Sequence, residues 1–107
     1  MISVEQVEKA LDYLRDSAPK AAVARSQAKT LEKWLGVVEA EQKTLQGSMS
    51  NAASQDIARA SPEYKQALEG WKEAVRVDCE FTMLREAASS RIDAWQTMSA
   101  NERAQRI

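Results

Sequence analysis

A long uninterrupted stretch after Pro62 constrains the fold more than any other feature. It has no further proline and one glycine, and it is rich in strong helix formers. Its apolar residues recur at steps of three and four, which places them on one helical face. This face consists of Ala67, Trp71, Ala74, Val77, Phe81, Leu84, Ala88, Ile92, Trp95 and Met98. The pattern predicts one helix from Pro62 to about Ala100, roughly 58 Å long at 1.5 Å per residue.

The N-terminal segment also has the marks of a helix. Ser3 and Gln6 have the spacing of a capping box, and the residues that follow step by three and four. We expect a first helix from about Ser3 to Ser17. Pro19 then either begins a second helix or kinks a continuous one, and we favour such a break or kink over a long loop. The expected apolar face is Val4, Val7, Leu11 and Leu14.

A heptad pattern follows, and it predicts a long second helix from about Lys20 to Gln46. Gly47 stands where a residue in the left-handed conformation would end this helix. The residues that carry the pattern are Ala24, Ala28, Leu31, Leu35, Val38, Gln42 and Leu45.

The segment between Gly47 and Ser61 is rich in Ser, Asn and Ala. We expect it to contain one short helix, about residues 51–60, held weakly by Ile57. Ser61, Pro62 and Glu63 then form a strong helix start, with an N-cap hydroxyl, proline at the first position and an acidic side chain in the first turn. Residues 101–107 are expected to be a frayed tail that could order on a partner.

These elements predict an all-α fold of a single domain, residues 1–107. Since the helix after Pro62 is far longer than the radius of gyration of about 13 Å of a compact chain this size, we expect an elongated antiparallel helical hairpin or coiled coil. An extra N-terminal helix would cover one end. Two helices bury only the one face along which they contact each other, so aromatic rings would stay partly exposed to solvent. These rings are Trp34, Trp71 and Trp95. We therefore expect a dimeric bundle, a homodimer.

Gly36 and Gly70 interrupt helix-prone segments at similar distances from the connection. Glycine costs a helix interior about 1 kcal/mol relative to alanine. One interpretation is a notch that lets two helices approach closely beside Trp34 and Trp71. The other is a tolerated imperfection.

The composition excludes most catalytic chemistry. The chain has no histidine and one cysteine, and its glycines are scattered singly. Zinc sites, histidine-assisted nucleophiles and glycine-rich phosphate loops are therefore not expected. Cys79 lies between Asp78 and Glu80, which disfavour a thiolate, so we expect it to be a packing residue. We expect no enzyme activity, no metal and no cofactor.

The N-terminus resembles no signal peptide, and no stretch is apolar enough to span a membrane. A single cysteine fits a reducing compartment. These features predict a cytoplasmic protein with no membrane partner.

Bulk attraction to nucleic acid is not expected either, since 15 basic side chains face 16 acidic ones. Arg25, Lys29 and Lys33 nevertheless step by four along one helix, and Arg91 belongs to a second basic region. Such a stripe could follow a phosphate backbone. Glu32 interrupts it and no aromatic residues are interleaved with it. An ordinary solvated or dimer-flanking face is favoured, with nucleic-acid binding as the alternative.

Aromatic and methionine side chains are the candidate anchors for a protein partner. Tyr64, Trp95 and Met98 lie near the ends of the long helix, where they could be exposed for binding. The alternative is that all three are core residues. Trp34 and Trp71 complete the set of interface candidates.

Three stretches, 10–18, 61–70 and 91–97 followed by Ala100 and Asn101, together resemble a group of small helical proteins of tailed phages and prophages. Genes of that group often lie near early-region genes for recombination and single-strand annealing. The resemblance implies a phage setting in a bacterial host. The expected function is a non-enzymatic accessory protein that binds a protein partner in phage DNA metabolism or recombination, or that counteracts a host system. A nucleic-acid-binding recombination accessory and a virion assembly or scaffold protein are the alternatives.

Overall fold

A computed structural model describes residues 1–47 and 50–106. It contains three helices: α1 spans Val4–Leu45, α2 spans Asn51–Ala60 and α3 spans Pro62–Gln105. Their lengths are 42, 10 and 44 residues. The all-α fold predicted from the sequence is confirmed for the described residues.

Three of the predicted helix boundaries are present, at Ser3, Gly47 and Ser61. The Ser3 backbone N–H donates to the Gln6 side chain at 3.0 Å, and the Gln6 backbone N–H donates to Ser3 Oγ at 3.2 Å. Gly47 has a φ of 73°, the left-handed conformation expected after a helix end. The Tyr64 backbone N–H donates to Ser61 Oγ at 3.2 Å, which caps α3. The predicted capping box, stop and cap are confirmed.

The N-terminal part differs from the expectation at Pro19, because α1 is continuous through it. There is thus no separate N-terminal helix. Proline inside a helix costs about 3 kcal/mol, which burial along the whole of α1 can outweigh. One heptad pattern of buried or partly buried residues crosses Pro19 without a change of phase. Its members are Val7, Ala10, Leu14, Ser17, Ala21, Ala24, Ala28, Leu31, Leu35, Val38 and Gln42.

Three members of the expected apolar face of α1 lie outside this seam. Val4 is 58% exposed and Leu11 is 51% exposed, since both stand beside the heptad positions rather than on them. Leu45 is 75% exposed at the last residue of α1.

α3 is longer than predicted, because residues 101–105 continue the helix that was expected to fray after Ala100. Ile107 lies outside the described residues. The seam of α3 differs from the predicted face at three positions, where it has Asp78, Arg85 and Ser99 instead of Val77, Leu84 and Met98. Leu84 is 49% exposed. The seam consists of Tyr64, Ala67, Trp71, Ala74, Asp78, Phe81, Arg85, Ala88, Ile92, Trp95 and Ser99.

The chain divides into two compact units. Unit 1 contains Met1–Ala22 and the part of α3 from Cys79 onward. Unit 2 is Val23–Asp78 and contains the rest of α1, all of α2 and the beginning of α3. Within each unit the segments of α1 and α3 pack antiparallel, as the predicted hairpin requires.

Small residues dominate the core. The buried apolar residues are Val7, Ala10, Ala24, Ala28, Val38, Ala58 and Ala88. In unit 2, α2 is held by Ala58, which is fully buried, and by Ser54, which is 7% exposed. Ile57, which was expected to hold α2, is 40% exposed. The expectation for Ile57 was wrong because the small residues of α2 face the seam, where only a short side chain fits.

The two helical glycines do not form a notch. A β-carbon added at Gly36 or at Gly70 would meet no atom within 4 Å. No neighbouring helix therefore approaches either backbone closely, and the interpretation as tolerated imperfections holds.

Candidate protein-interaction surfaces

Unit 2 has an open apolar groove between α1 and α3, with a volume of about 420 Å³. Seam residues Leu31 and Val38 form its α1 side, and Trp34, between them along the chain, is 46% exposed. On α3 the groove is lined by Ala67 and Gly70, which leave room beside the indole ring. This groove places a half-exposed tryptophan ring beside small residues, and tryptophan is enriched among the residues that dominate binding energy.

A second groove of about 190 Å³ lies in unit 1. Its floor is formed by three alanines at positions 10, 87 and 88, together with the 49% exposed Leu84. Tyr13 lines the same groove, and its buried hydroxyl has no hydrogen-bond partner among the described residues. The unit 1 groove is thus also mainly apolar.

The two grooves carry charges of opposite sign. Glu41 and Glu63 line the unit 2 groove, whereas Lys9 and Arg91 line the unit 1 groove. All four residues are exposed. Within the part of the chain that the structure describes, the nearest opposite charge to any of them is Glu5, whose carboxylate is 4.0 Å from Lys9 Nζ in a pair that is more than 75% exposed. These charges are therefore available to a partner.

Two charged side chains occupy seam positions of α3, where apolar residues are usual. In unit 1, Arg85 Nη1 donates to the Leu14 carbonyl and to Ser17 Oγ, each at 2.7 Å. In unit 2, Asp78 lies 3.5 Å from Arg25 Nε. The sequence reasoning missed both roles. Their spacing of seven residues is the signal that could have revealed them, since it fits the heptad of α3.

The predicted basic stripe lies in unit 2, and the second basic region lies in unit 1. Arg25, Lys29 and Lys33 are exposed in unit 2, and Arg25 is paired with Asp78. Arg91 belongs to unit 1, where it lines the groove. The Arg25 pair neutralises one charge of the stripe.

The predicted anchors are also divided between the units. Tyr64 and Trp71 are partly buried in unit 2, and Trp95 and Met98 are partly buried in unit 1. Trp34 is the most exposed of the five interface candidates.

Polar contacts attach α2 to the end of α1. Arg59 Nε donates to Glu39 Oε1 at 3.0 Å, and Lys43 Nζ donates to Asn51 Oδ1 at 3.3 Å. Burial of Glu39 acts to raise the pKa of its carboxyl group. Hydrogen bonds from Gln55 and Arg59, with the positive charges of Arg59 and Lys43, outweigh this effect and lower the pKa.

The described residues contain no group of three acidic or cysteine side chains that could hold a metal ion. Cys79 is exposed, which corrects the expectation that it packs in the core, because it follows the seam position Asp78 and points away from the seam. None of the helices, over the described residues, is long and apolar enough to cross a membrane.

Comparisons with family models, with curated proteins and with solved structures found no match to this chain. The resemblance to phage proteins stays a prediction from the sequence.

Proposed function

We propose that this is a non-enzymatic binding protein that acts as a homodimer and recognises another protein. The observation that supports the proposal is the number of large apolar side chains that the described residues leave in water. Contiguous exposed apolar surface marks interaction sites, and two of these side chains, Trp34 and Leu84, line the two apolar grooves. These side chains are Met1, Val4, Leu11, Val23, Trp34, Val37, Leu45, Ile57, Met83 and Leu84.

Trp34 is the best candidate anchor for a partner. Its ring is 46% exposed beside the small residues Ala67 and Gly70. Tryptophan is enriched among residues that dominate binding energy, and truncation of such an anchor costs about 2 kcal/mol or more. Binding at this groove would act by occlusion of the partner's surface or by scaffolding.

The biological setting of the proposal comes from the resemblance described above. A phage accessory protein of this kind would bind a component of DNA metabolism or recombination, or would block a host system. The alternative of nucleic-acid binding is weaker, because Asp78 already pairs with Arg25 of the basic stripe.

Affinity capture with matched variants tests the proposal. Tagged wild-type protein, Trp34→Ala and Met83→Ala would be used on nuclease-treated host lysate, and the partner's affinity for each would then be measured after purification. Met83 is a suitable control because it is 71% exposed and lines neither groove. We expect Trp34→Ala to weaken binding about 30-fold, and Met83→Ala to change it less than twofold. Equal binding by both variants, or loss of all captured protein after nuclease treatment, would contradict the proposal.

The homodimer is tested separately by light scattering at micromolar concentration. We expect twice the chain mass of 11.9 kDa. A particle of the single-chain mass would disprove the dimer.

A further inference from the structure

We infer that the unit 1 groove is a second docking site and that it binds an acidic amphipathic helix of a partner protein. The groove lies within unit 1, whereas Trp34 and the groove that it lines belong to unit 2. Binding at this site goes beyond the proposed function, since it requires neither Trp34 nor a homodimer.

The charges at the edges of the groove favour an acidic occupant. Among the described residues that line it, both charged side chains are cations, Lys9 and Arg91. Lys9 Nζ lies 4.0 Å from the carboxylate of Glu5, and the side chains of this pair are 77% and 79% exposed. Such a solvated pair contributes little, so Lys9 stays available to a partner.

Arg91 has no acidic partner within the part of the chain that the structure describes. On a helix, an acidic residue three or four positions away could pair with it. Those four positions of α3 are occupied by Ala87, Ala88, Ala94 and Trp95. The guanidinium group of Arg91 is therefore available to a carboxylate of a partner.

The floor of the groove suits the apolar face of a helix. Ala10 is 4% exposed and Ala88 is 7% exposed, so the side chains at the bottom are small. Leu84 lines the same groove at 49% exposure, and a bound helix would remove its apolar surface from water. Amphipathic helices bind in apolar grooves through residues three and four positions apart. A nucleic acid would use the two cations but would leave the apolar floor uncovered, so a peptide is favoured.

Unit 2 shows how a third helix completes the pairing of α1 with α3. In α2, Ser54 is 7% exposed and Ala58 is fully buried, and Arg59 Nε lies 3.0 Å from Glu39 of α1. Unit 1 has the same pairing but no third helix among its described residues. A partner's helix would complete unit 1 in the corresponding way. Its charged contacts would be acidic, because the edges of the unit 1 groove are basic.

A library of displayed helical peptides tests the inference. Its apolar positions would vary among alanine, valine and leucine, and its flanking positions among glutamate, glutamine and lysine. Peptides would be kept if they bind the wild-type protein and the control variant Lys29→Glu with Lys33→Glu, but not the groove variant Lys9→Glu with Arg91→Glu. The two variants have equal net charge, and the control residues are exposed and line neither groove. We expect the retained peptides to carry glutamate at the flanking positions, because carboxylates are attracted to Lys9 and Arg91.

The affinity of a retained peptide, measured by fluorescence anisotropy, separates the charge contacts from the apolar contacts. Replacing its flanking glutamates by lysine should weaken binding to wild type about tenfold, and the groove variant should reverse this order. Leu84→Ala should weaken binding about fivefold through the loss of apolar contact. Met83→Ala is its control and should leave the affinity unchanged, since Met83 is 71% exposed and lines neither groove.

The outcomes distinguish this site from the proposed function. Trp34→Ala should bind the retained peptide as wild type does, because Trp34 belongs to unit 2. An empty set after selection, a set without acidic flanks, loss of peptide binding in Trp34→Ala, or equal binding by Leu84→Ala and Met83→Ala would overturn the inference. If no peptide is retained and a single-stranded oligonucleotide binds wild type but not the groove variant, the groove is a nucleic-acid site instead. The partner captured through Trp34 would be unaffected by any of these results.

Discussion

Unit 1 and unit 2 contain the same antiparallel pairing of α1 with α3, but they complete it by different means. Unit 2 adds a third helix, whose Ala58 is fully buried and whose Arg59 pairs with Glu39. Unit 1 has no third helix among its described residues, and its two segments are joined by hydrogen bonds from a partly buried charged side chain, Arg85. Unit 2 also has a charged pair across its seam, Arg25 with Asp78, in addition to its third helix. A seam of small residues buries little apolar area, so the pairing of α1 with α3 needs further stabilising contacts. The comparison shows that either burial of a third helix or charged hydrogen bonds can provide them.

The hydrogen bonds of Arg85 in unit 1 lie close to Pro19, where α1 lacks a backbone hydrogen bond. Pro19 has no N–H to donate to the carbonyl of Arg15. Arg85 donates to the carbonyl of Leu14 and to Ser17 Oγ, both within about a turn of the proline. The hydrogen bonds from Arg85 to α1 therefore lie close to the position where Pro19 interrupts the backbone hydrogen bonds of α1.

The largest expected effect on stability comes from Arg85→Ala, which removes the hydrogen bonds between α3 and α1 in unit 1. The change removes two hydrogen bonds from a charged donor and leaves the hydroxyl of Ser17, a residue 5% exposed, without that partner. We expect a loss of about 3 kcal/mol in the free energy of unfolding. Chemical denaturation measures the total, and hydrogen exchange should quicken in unit 1 more than in α2.

Arg76→Ala is the matched control, since Arg76 lies on the same helix in an exposed pair with Glu73. It should cost below about 0.5 kcal/mol. Equal losses for the two arginines would show that Arg85 acts only through its side-chain volume or helix propensity.

A smaller effect on stability is expected from Ala58→Leu, which disrupts the packing of α2 in unit 2. Ala58 has 0% exposure, so a larger side chain must displace α2 from the seam. We expect a loss of about 2 kcal/mol from overpacking. Exchange should quicken in residues 51–60 and stay unchanged in unit 1. The exposed Ala60, changed to leucine in the same helix, should be neutral, and a comparable loss there would contradict this explanation.

Local rules predicted the start of α1, its end before Gly47 and the start of α3, but not the contacts that hold the helices together. The capping box of Ser3, the stop at Gly47 and the cap at Ser61 each depend on residues a few positions apart, so the sequence alone determines them. The continuity through Pro19 depends on burial along the whole of α1, which outweighs a local cost. Arg85 was missed because its partners, near residue 14, are distant in the chain.

Distance along the chain also explains which features of the candidate surfaces could be predicted from the sequence. Trp34 was recognisable as an interface candidate from its residue type. The charges around its groove were not, because Glu41 and Glu63 come together only through the register of α1 against α3. Lys9 and Arg91 are more distant still along the chain. A pattern on one helix carries no information about that register.

The smallest expected effect is the pH dependence of the contact between Glu39 and Arg59, which attaches α2 in unit 2. The pKa of Glu39 is lowered in the folded protein, so its contribution to stability is present above the ordinary glutamate pKa of about 4.3 and is lost as the pH falls through the lower folded value. Glu39→Gln should therefore destabilise the protein at pH 7 by below about 1 kcal/mol, since Arg59 is 54% exposed.

This difference between wild type and Glu39→Gln should shrink towards zero in acid, where the wild-type carboxyl group is protonated. Thermal denaturation at a series of pH values measures it, and the exposed Glu32, changed to glutamine, serves as the control on the same helix. An NMR titration of Glu39 should give a midpoint below about 4.3. A midpoint at or above that value would mean that burial outweighs the contacts from Gln55 and Arg59, and that these contacts do not help to hold α2 in unit 2.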